Sequence, residues 1–361
     1  MRKEEAAQIG AVLARKKAAN KKKHNQSRWY NKELKSLLGN QWAIFYGILG
    51  GRMTGKSYAL TDFLCNQKKK KGKLVKNYWL RISETSTQAM LANKAQKLVD
   101  PDLVRKYKLD LTVKGRDVYN HNEPFMTVLP LSAMAKLKGV AFFDKEYKGE
   151  YNIVLDEFQL EQGERRTSFD IAYNFIGMIE NIARNTKTRL RIFLVGNTLE
   201  EASTILKAFN FLPEGFGRYY LKRKRCVIDN IEPTEEYLKD REGSAADLLG
   251  GKEMSNYTNE IKKDISLIYK GRLNKTAYVI KFGKDRDKHY IVWDAGKDGS
   301  VITRSKGQSV KNAIAMRPYI DERYNVERRQ IVFDLFDAKQ YKFDTLITLS
   351  YFQSELQKIR K

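Results

Sequence analysis

Tyr46 to Leu60 reads YGILGGRMTGKSYAL, in which Gly50 is followed by four residues and then by Gly55-Lys56-Ser57. That is the spacing of a phosphate-binding P-loop. The run before it, Trp42 to Leu49, is apolar and aromatic enough for a buried strand, and Ser57 to Leu64 continues as a helix. Glycines at 50, 51 and 55 let the backbone curl with its amides inward, and the helix beginning near Gly55 adds the positive end of its dipole. Phosphates fit such a junction. Lys56 reaches the β- and γ-phosphates as a point charge, and the Ser57 hydroxyl ligates Mg²⁺.

A second motif lies about a hundred residues on. Tyr151 to Glu157, YNIVLDE, is a buried-strand run that ends abruptly in two carboxylates, the form of a Walker B segment. Asp156 is placed to hold Mg²⁺ through water opposite Ser57, and Glu157 to polarise the water that attacks the γ-phosphate. An acidic pair at a strand end is often a solvated turn, but the P-loop upstream favours the catalytic reading. The third part is the strand Arg189 to Val195, which runs into Gly196-Asn197-Thr198 and sets the Asn197 amide beside the γ-phosphate as a sensor. Between them, Ile171, Phe175, Met178, Ile179 and Ile182 recur at helical spacing over Ser168 to Ala183 and should pack on the sheet.

Composition narrows the partner. The 361 residues are enough for two or three domains, and Lys+Arg 68 against Asp+Glu 43 leaves a net charge of +25. Nucleic acid is the leading polyanion for such a chain, ahead of an anionic membrane or a merely soluble basic surface, because the charge is clustered. Clusters stand at Arg15-Lys16-Lys17, Lys21-Lys22-Lys23, Lys68 to Lys71 and Lys222-Arg223-Lys224-Arg225. The two cysteines, Cys65 and Cys226, are far apart and the three histidines are isolated, so neither a zinc site nor a disulfide framework is expected. No signal peptide or apolar run of membrane-spanning length is visible, and a soluble intracellular protein is the expectation.

The remaining stretches read as scaffold. Leu74 to Ile82 is a strand that includes Arg81, Thr87 to Val99 a helix stopped by Asp100-Pro101, and Leu109 to Tyr119 with Phe125 to Leu131 a β-hairpin or meander. After residue 208 the composition turns glycine-rich and aromatic, then acidic, as in a linker with a boundary near 245 to 255. Beyond it SLIYKGRL, AYVIKFG, HYIVWDA and SVITRS follow as short strands and Thr345 to Ile359 as a helix, giving a small α+β domain. Residues 1–40 read as a lysine-rich arm, either solvated or touching nucleic acid.

In combination these stretches resemble the DNA-packaging ATPases of φ29-like bacteriophages. The likeness rests on GGRMTGKSYA, VKGRDVY followed by VLPLS, VLDEF, IARNTKTRLRIFLVGN and QYKFDTLITL, in similar order from about residue 42 onward. It implies a homo-oligomeric ring, a pentamer, that hydrolyses ATP with Mg²⁺ to drive double-stranded DNA through a portal into a procapsid, in the host cytoplasm and transiently docked at the portal vertex. A structural packaging RNA is a further implied partner. The implied fold is α/β: an ASCE-type (additional-strand, catalytic-glutamate) P-loop ATPase domain over 41–207, its mainly parallel sheet flanked by helices and its P-loop strand central. A linker or lid over 208–250 and a vestigial, RNase H-like nucleic-acid-binding domain over 251–361 complete it.

Residue by residue, the resemblance gives Lys56, Ser57, Asp156 and Glu157 the roles derived above, and makes Gly50, Gly51, Arg52, Gly55 and Tyr58 part of the nucleotide-binding motif. Arg184, in IARN, takes the place of a trans-acting arginine finger. Lys138 matches a second trans-acting basic residue, and Arg81 joins it as a candidate trans-acting or DNA-coupling residue. Two other classes share many of these features: another nucleic-acid ATPase such as a helicase or partition motor, and a binding module that uses ATP only as a clamp. Glu157 counts against the clamp, because binding alone needs no carboxylate to position water.

Overall fold

Long apolar runs that end in polar residues become the parallel strands of one large sheet in the computed structural model, which describes residues 30–69, 74–134, 146–158, 169–183, 189–197, 204–248 and 265–360. The first elements are α1 (Tyr30–Leu38), β1 (Phe45–Leu49), α2 (Lys56–Lys69), β2 (Val75–Arg81), α3 (Glu84–Ala95), α4 (Pro101–Tyr107), β3 (Leu111–Lys114), β4 (Asp117–Asn120) and β5 (Glu123–Pro130). There follow β6 (Glu150–Asp156), α5 (Ile171–Ala183), β7 (Leu190–Gly196), α6 (Thr204–Phe209), β8 (Gly217–Leu221), β9 (Cys226–Asn230), α7 (Glu235–Arg241) and α8 (Ala245–Leu248). The last are β10 (Lys275–Lys281), β11 (His289–Asp294), β12 (Ser300–Arg304), β13 (Ala313–Ala315), α9 (Val326–Asp337), β14 (Tyr341–Phe343) and α10 (Leu346–Arg360).

The nine-stranded sheet has the order β3-β4-β5-β2-β6-β7-β1-β9-β8. Its inner strands, β5-β2-β6-β7-β1-β9, are all parallel, and antiparallel strands close both edges. Strands covered on both faces need continuous apolar runs; Trp79, Ile153, Val154 and Phe193 are accordingly sealed from solvent. β7 stands between the P-loop strand β1 and the acidic-ended β6, which is the expected additional-strand arrangement. The P-loop strand is not central, however: β1 lies one strand in from the end of the parallel block, next to β9. In register Leu49 faces Gly196 and Asp156 faces Val195, so β1, β7 and β6 finish level at the carboxyl edge, where open α/β sheets bind ligands.

Several local expectations need correcting. The stretch 208–250, read as a linker, contains β8 and β9, and β9 pairs with β1 along its whole length. Lys222-Arg223-Lys224-Arg225 is the turn between those two strands, with Arg225 left-handed at φ 47°. The end of the lysine-rich arm is α1, whose Tyr30, Leu34 and Leu37 are buried in the main core. Asp100-Pro101, read as a helix stop, instead starts α4: Asp100 Oδ1 accepts from Asp102 N and Pro101 takes the first turn, where its missing N–H is no loss. The preceding helix α3 ends earlier than expected because Asn93 and Lys94 are left-handed. SLIYKGRL is not a strand; it begins with one 3₁₀ turn and, among the described residues, makes a single bridge, Ile268 to Phe343. No described helix is long and apolar enough to cross a membrane.

The described residues divide into two compact units, the large sheet with its helices and a second built on β10 to α10. The second unit has a five-stranded sheet in the order β13-β10-β11-β12-β14, antiparallel in the middle and parallel at both edges. Phe352 of α10 packs against Phe282, Tyr290 and Phe343 at ring-centroid distances of 5.1 to 5.6 Å. Residues 206–214 also belong to this unit. The Arg304 guanidinium sits 4.3 Å above the Tyr351 ring and donates to Asn210 Oδ1 at 2.9 Å, which ties that segment down.

Candidate active site

The glycines after β1 permit two features that side chains would resist. Gly55 has φ 80°, which turns the chain into α2, and a Cβ on Gly50 would lie 3.1 Å from Ile231 Cδ1. Met53 is left-handed too, at φ 66°, and stands out into solvent. Thr54 Oγ1 donates to Gly51 O at 3.0 Å across the curl. Lys56, the first residue of α2, is only 7% exposed and its Nζ donates to Gly50 O at 2.8 Å, Gly51 O at 2.6 Å and Thr54 Oγ1 at 3.3 Å. The ammonium is therefore held inside the loop that it serves. Ser57 is exposed beside it, and its carbonyl accepts from Thr61 Oγ1 at 2.9 Å.

Burial pushes the Lys56 ammonium down from 10.5 to about 8, with Asp156 and Glu157 pulling the other way. Because the folded value is the lower one, the native protein sheds this proton between those pH values while the unfolded chain keeps it, so this residue's contribution to stability improves with rising pH in that window. Affinity for a phosphate in this loop would run oppositely, since the charge is lost. The dissociation constant for ATP should rise as pH increases through about 8, and Lys56→Arg, charged throughout, should flatten that dependence in a titration.

Asp156 closes β6 and is buried; burial pushes its carboxyl up, and the Arg81 guanidinium works against that shift. Glu157 follows at φ 51°, an uncommon conformation for a residue with a side chain and one that concentrates at functional sites. Arg81, the last residue of β2, donates to Asp156 Oδ2 at 3.0 Å through Nη1 and to Glu157 Oε2 through Nη2. Within the chain, then, Arg81 grips both acidic residues. The expectation of a trans-acting or DNA-coupling Arg81 missed this, because sequence does not show that β2 pairs with β6, with Leu80 opposite Leu155.

Arg81→Met should cost about 3–5 kcal/mol in chemical denaturation, the usual penalty for stripping one partner from a buried pair. Asp156 is 9% and Arg81 14% exposed at the side chain, so solvent offers little replacement.

Asn197 leaves β7 directly beside the loop, where Gly50 N donates to Gly196 O at 3.2 Å. Arg52 is exposed, and its carbonyl accepts from Tyr237 OH at 2.6 Å, a tie from α7 to the loop that sequence spacing did not signal. Tyr58 is partly buried against the main core. Lys138 and Arg184 lie outside the described residues. A hydroxyl at Ser57 and carboxylate oxygens at Asp156 are hard donors, as Mg²⁺ requires, and they stand on elements that meet at one edge of the sheet.

In the second unit Asp294, Asp298 and Asp344 each have a local task. Asp294 Oδ1 accepts from Gly296 N, Asp298 lies 3.8 Å from Lys342 Nζ, and Asp344 Oδ1 accepts from Thr345 Oγ1. Among the described residues no three His, Cys, Asp or Glu side chains gather as a metal site would require.

Two solved structures are similar over nearly the whole chain. The bacteriophage Phi-29 viral genome packaging motor assembly matches with a TM-score of 0.59 and 18% identity, over 91% of this chain and 98% of that one. The Phi-28 gp11 DNA packaging motor matches with a TM-score of 0.55 and 14% identity, over 93% and 98%. At these identities the likeness is one of fold. No curated protein matches the sequence. A family model, the podovirus DNA encapsidation protein (Gp16), matches residues 24–342, beginning well before the resemblance read from motifs at about residue 42. With most of its length inside that match, and with its loop, acidic strand and polar-ended strand converging on one sheet edge, the chain belongs to the podovirus DNA encapsidation protein (Gp16) family.

Proposed function

We propose that the chain is the ATP-hydrolysing subunit of a motor that drives double-stranded viral DNA into a preformed procapsid. The observation that carries this reading is the additional-strand order, which sets Lys56, Asn197 and the Asp156–Glu157 pair at the level ends of β1, β7 and β6. Membership of a DNA encapsidation family supplies the direction of the work.

In this reading the loop amides and Lys56 bind the β- and γ-phosphates, and Asn197 orients the terminal one. Ser57 and Asp156 would hold Mg²⁺, which would neutralise charge on the phosphate oxygens. Glu157 aligns the attacking water and takes its proton. Arg81 determines where that carboxylate rests, because its guanidinium holds Glu157 and Asp156 together. Arg184 and Lys138 act from a neighbouring subunit of a ring, a pentamer, docked at the portal of the procapsid in the host cytoplasm. The second unit binds nucleic acid, including a packaging RNA, without cutting it. Phosphate release measured with and without double-stranded DNA tests the reading: DNA-stimulated turnover supports it, and binding of ATP without turnover in any assembled state would favour a clamp.

A further inference from the structure

β9 is the strand beside the phosphate loop on the side away from β6 and β7, and the chain leaving it is built against the loop. Ile231 N donates to Leu49 O at 2.8 Å, and the Ile231 side chain fills the space where Gly50 lacks a Cβ. Tyr237 OH then returns to Arg52 O at 2.6 Å. Next to this junction is a cavity of about 500 Å³, walled by Tyr30 and Glu33 of α1 and by Asn230, Glu232, Thr234 and Glu235 among others. That volume falls in the range of small-molecule pockets, about 300–1,000 Å³.

Two features say what the cavity would take. Its lining is acidic although the chain carries +25, so it repels phosphates and suits a ligand part that brings hydrogen-bond donors. Asp229 is already engaged, accepting from Tyr30 OH at 3.0 Å and from Arg218 Nη2 at 2.9 Å. Glu33 is partly buried, and its Oε2 atom is closed off from water with no donor among the described residues, an arrangement that costs stability unless a ligand completes it. Burial also pushes the Glu33 carboxyl up. The polarity of a nucleotide on this loop is fixed from the other side. Its γ-phosphate must face β6 and β7, where Asp156, Glu157 and Asn197 are, so its other end leaves the loop toward β9.

We propose that this cavity is the nucleoside subsite, in which Glu33 and the acidic rim accept hydrogen bonds from ribose hydroxyls and the exocyclic amino group. The inference rests on the phosphate-loop reading above. It makes α1, at the end of the lysine-rich N-terminal stretch, a wall of the nucleotide site.

Binding of ATP and of inorganic triphosphate to the full-length protein, each with Mg²⁺, separates the two readings by calorimetry. Glu33→Gln keeps the shape and removes the charge, and it should weaken ATP about tenfold, the loss of one hydrogen bond to a charged group. Triphosphate, which has no nucleoside, should bind this variant as it binds the wild type. Lys56→Ala should weaken both ligands. If Glu33→Gln leaves ATP affinity unchanged, or weakens both ligands equally, the subsite is wrong while the phosphate loop stands. If Lys56→Ala weakens neither, the phosphate-loop reading fails and the subsite with it. Glu232→Gln, an exposed change on the rim, guards against misfolding: it should show the same preferential loss for ATP, and an equal effect on both ligands would also overturn the proposal.

Discussion

Glu157→Gln is expected to bind ATP as tightly as the wild type and to hydrolyse it about 10²–10⁴-fold more slowly, the usual contribution of a positioned general base. Binding survives because Lys56, Ser57 and the loop amides are untouched. Turnover falls because an amide cannot take the proton of the attacking water. The substitution is close to isosteric and Glu157 is largely exposed, so the left-handed backbone at φ 51° is no harder for glutamine than for glutamate. Arg81 keeps Asp156 as its partner at 3.0 Å, which preserves the buried half of the cluster. Equilibrium binding and phosphate release in one preparation check it, and near-normal turnover would remove Glu157 from the mechanism.

Arg184→Ala should cost about 10³–10⁵ in hydrolysis by assembled rings, the effect of removing an arginine finger. The described elements on either side carry the argument. α5 ends at Ala183 and β7 begins at Leu190, and β7 runs parallel to β1 toward the phosphate loop. β7 therefore begins a strand's length, about 20 Å, from the phosphates of its own subunit. Arg184 precedes that strand by six residues in the sequence, which favours service to a neighbour's nucleotide over its own. Mixing separates the cases: Arg184→Ala and Glu157→Gln subunits, each inactive alone, should recover partial activity together, since some interfaces then pair an intact site with an intact finger. Full activity of Arg184→Ala rings removes the finger, and failure of every mixture to recover activity removes its action in trans.

The convergence of three strand ends on one sheet edge was legible because its signals are local. β1, β6 and β7 are apolar runs that stop at a glycine turn, an acidic pair and an asparagine, and each stop is at the edge where ligands bind. α5 was legible for the same reason: Ile171, Phe175, Met178 and Ile182 form one buried stripe, and Asp170 Oδ1 caps the start by accepting from Ala172 N and Tyr173 N. What was missed depends on pairing. The strands β8 and β9 were obscured by the basic turn between them, although Cys226 to Asn230 is wholly buried against β1. α1 was obscured by the lysines before it, although Tyr30, Leu34 and Leu37 recur at helical spacing. SLIYKGRL has the composition of a strand but only one bridge to pair with. Arg81 could not be assigned from sequence, because its role comes from lying next to Asp156 across two strands far apart in the chain.

Hydrolysis at the Lys56–Glu157 site is expected to move DNA, and packaging into purified procapsids measures that coupling. Genome-length DNA protected from added nuclease is the readout, with wild-type and Glu157→Gln protein compared in the presence and absence of ATP. Protection should require ATP and wild-type protein, and should be lost with Glu157→Gln although that variant still binds nucleotide. Protection without ATP, or equal protection by Glu157→Gln, would mean that hydrolysis at this site does not drive the DNA.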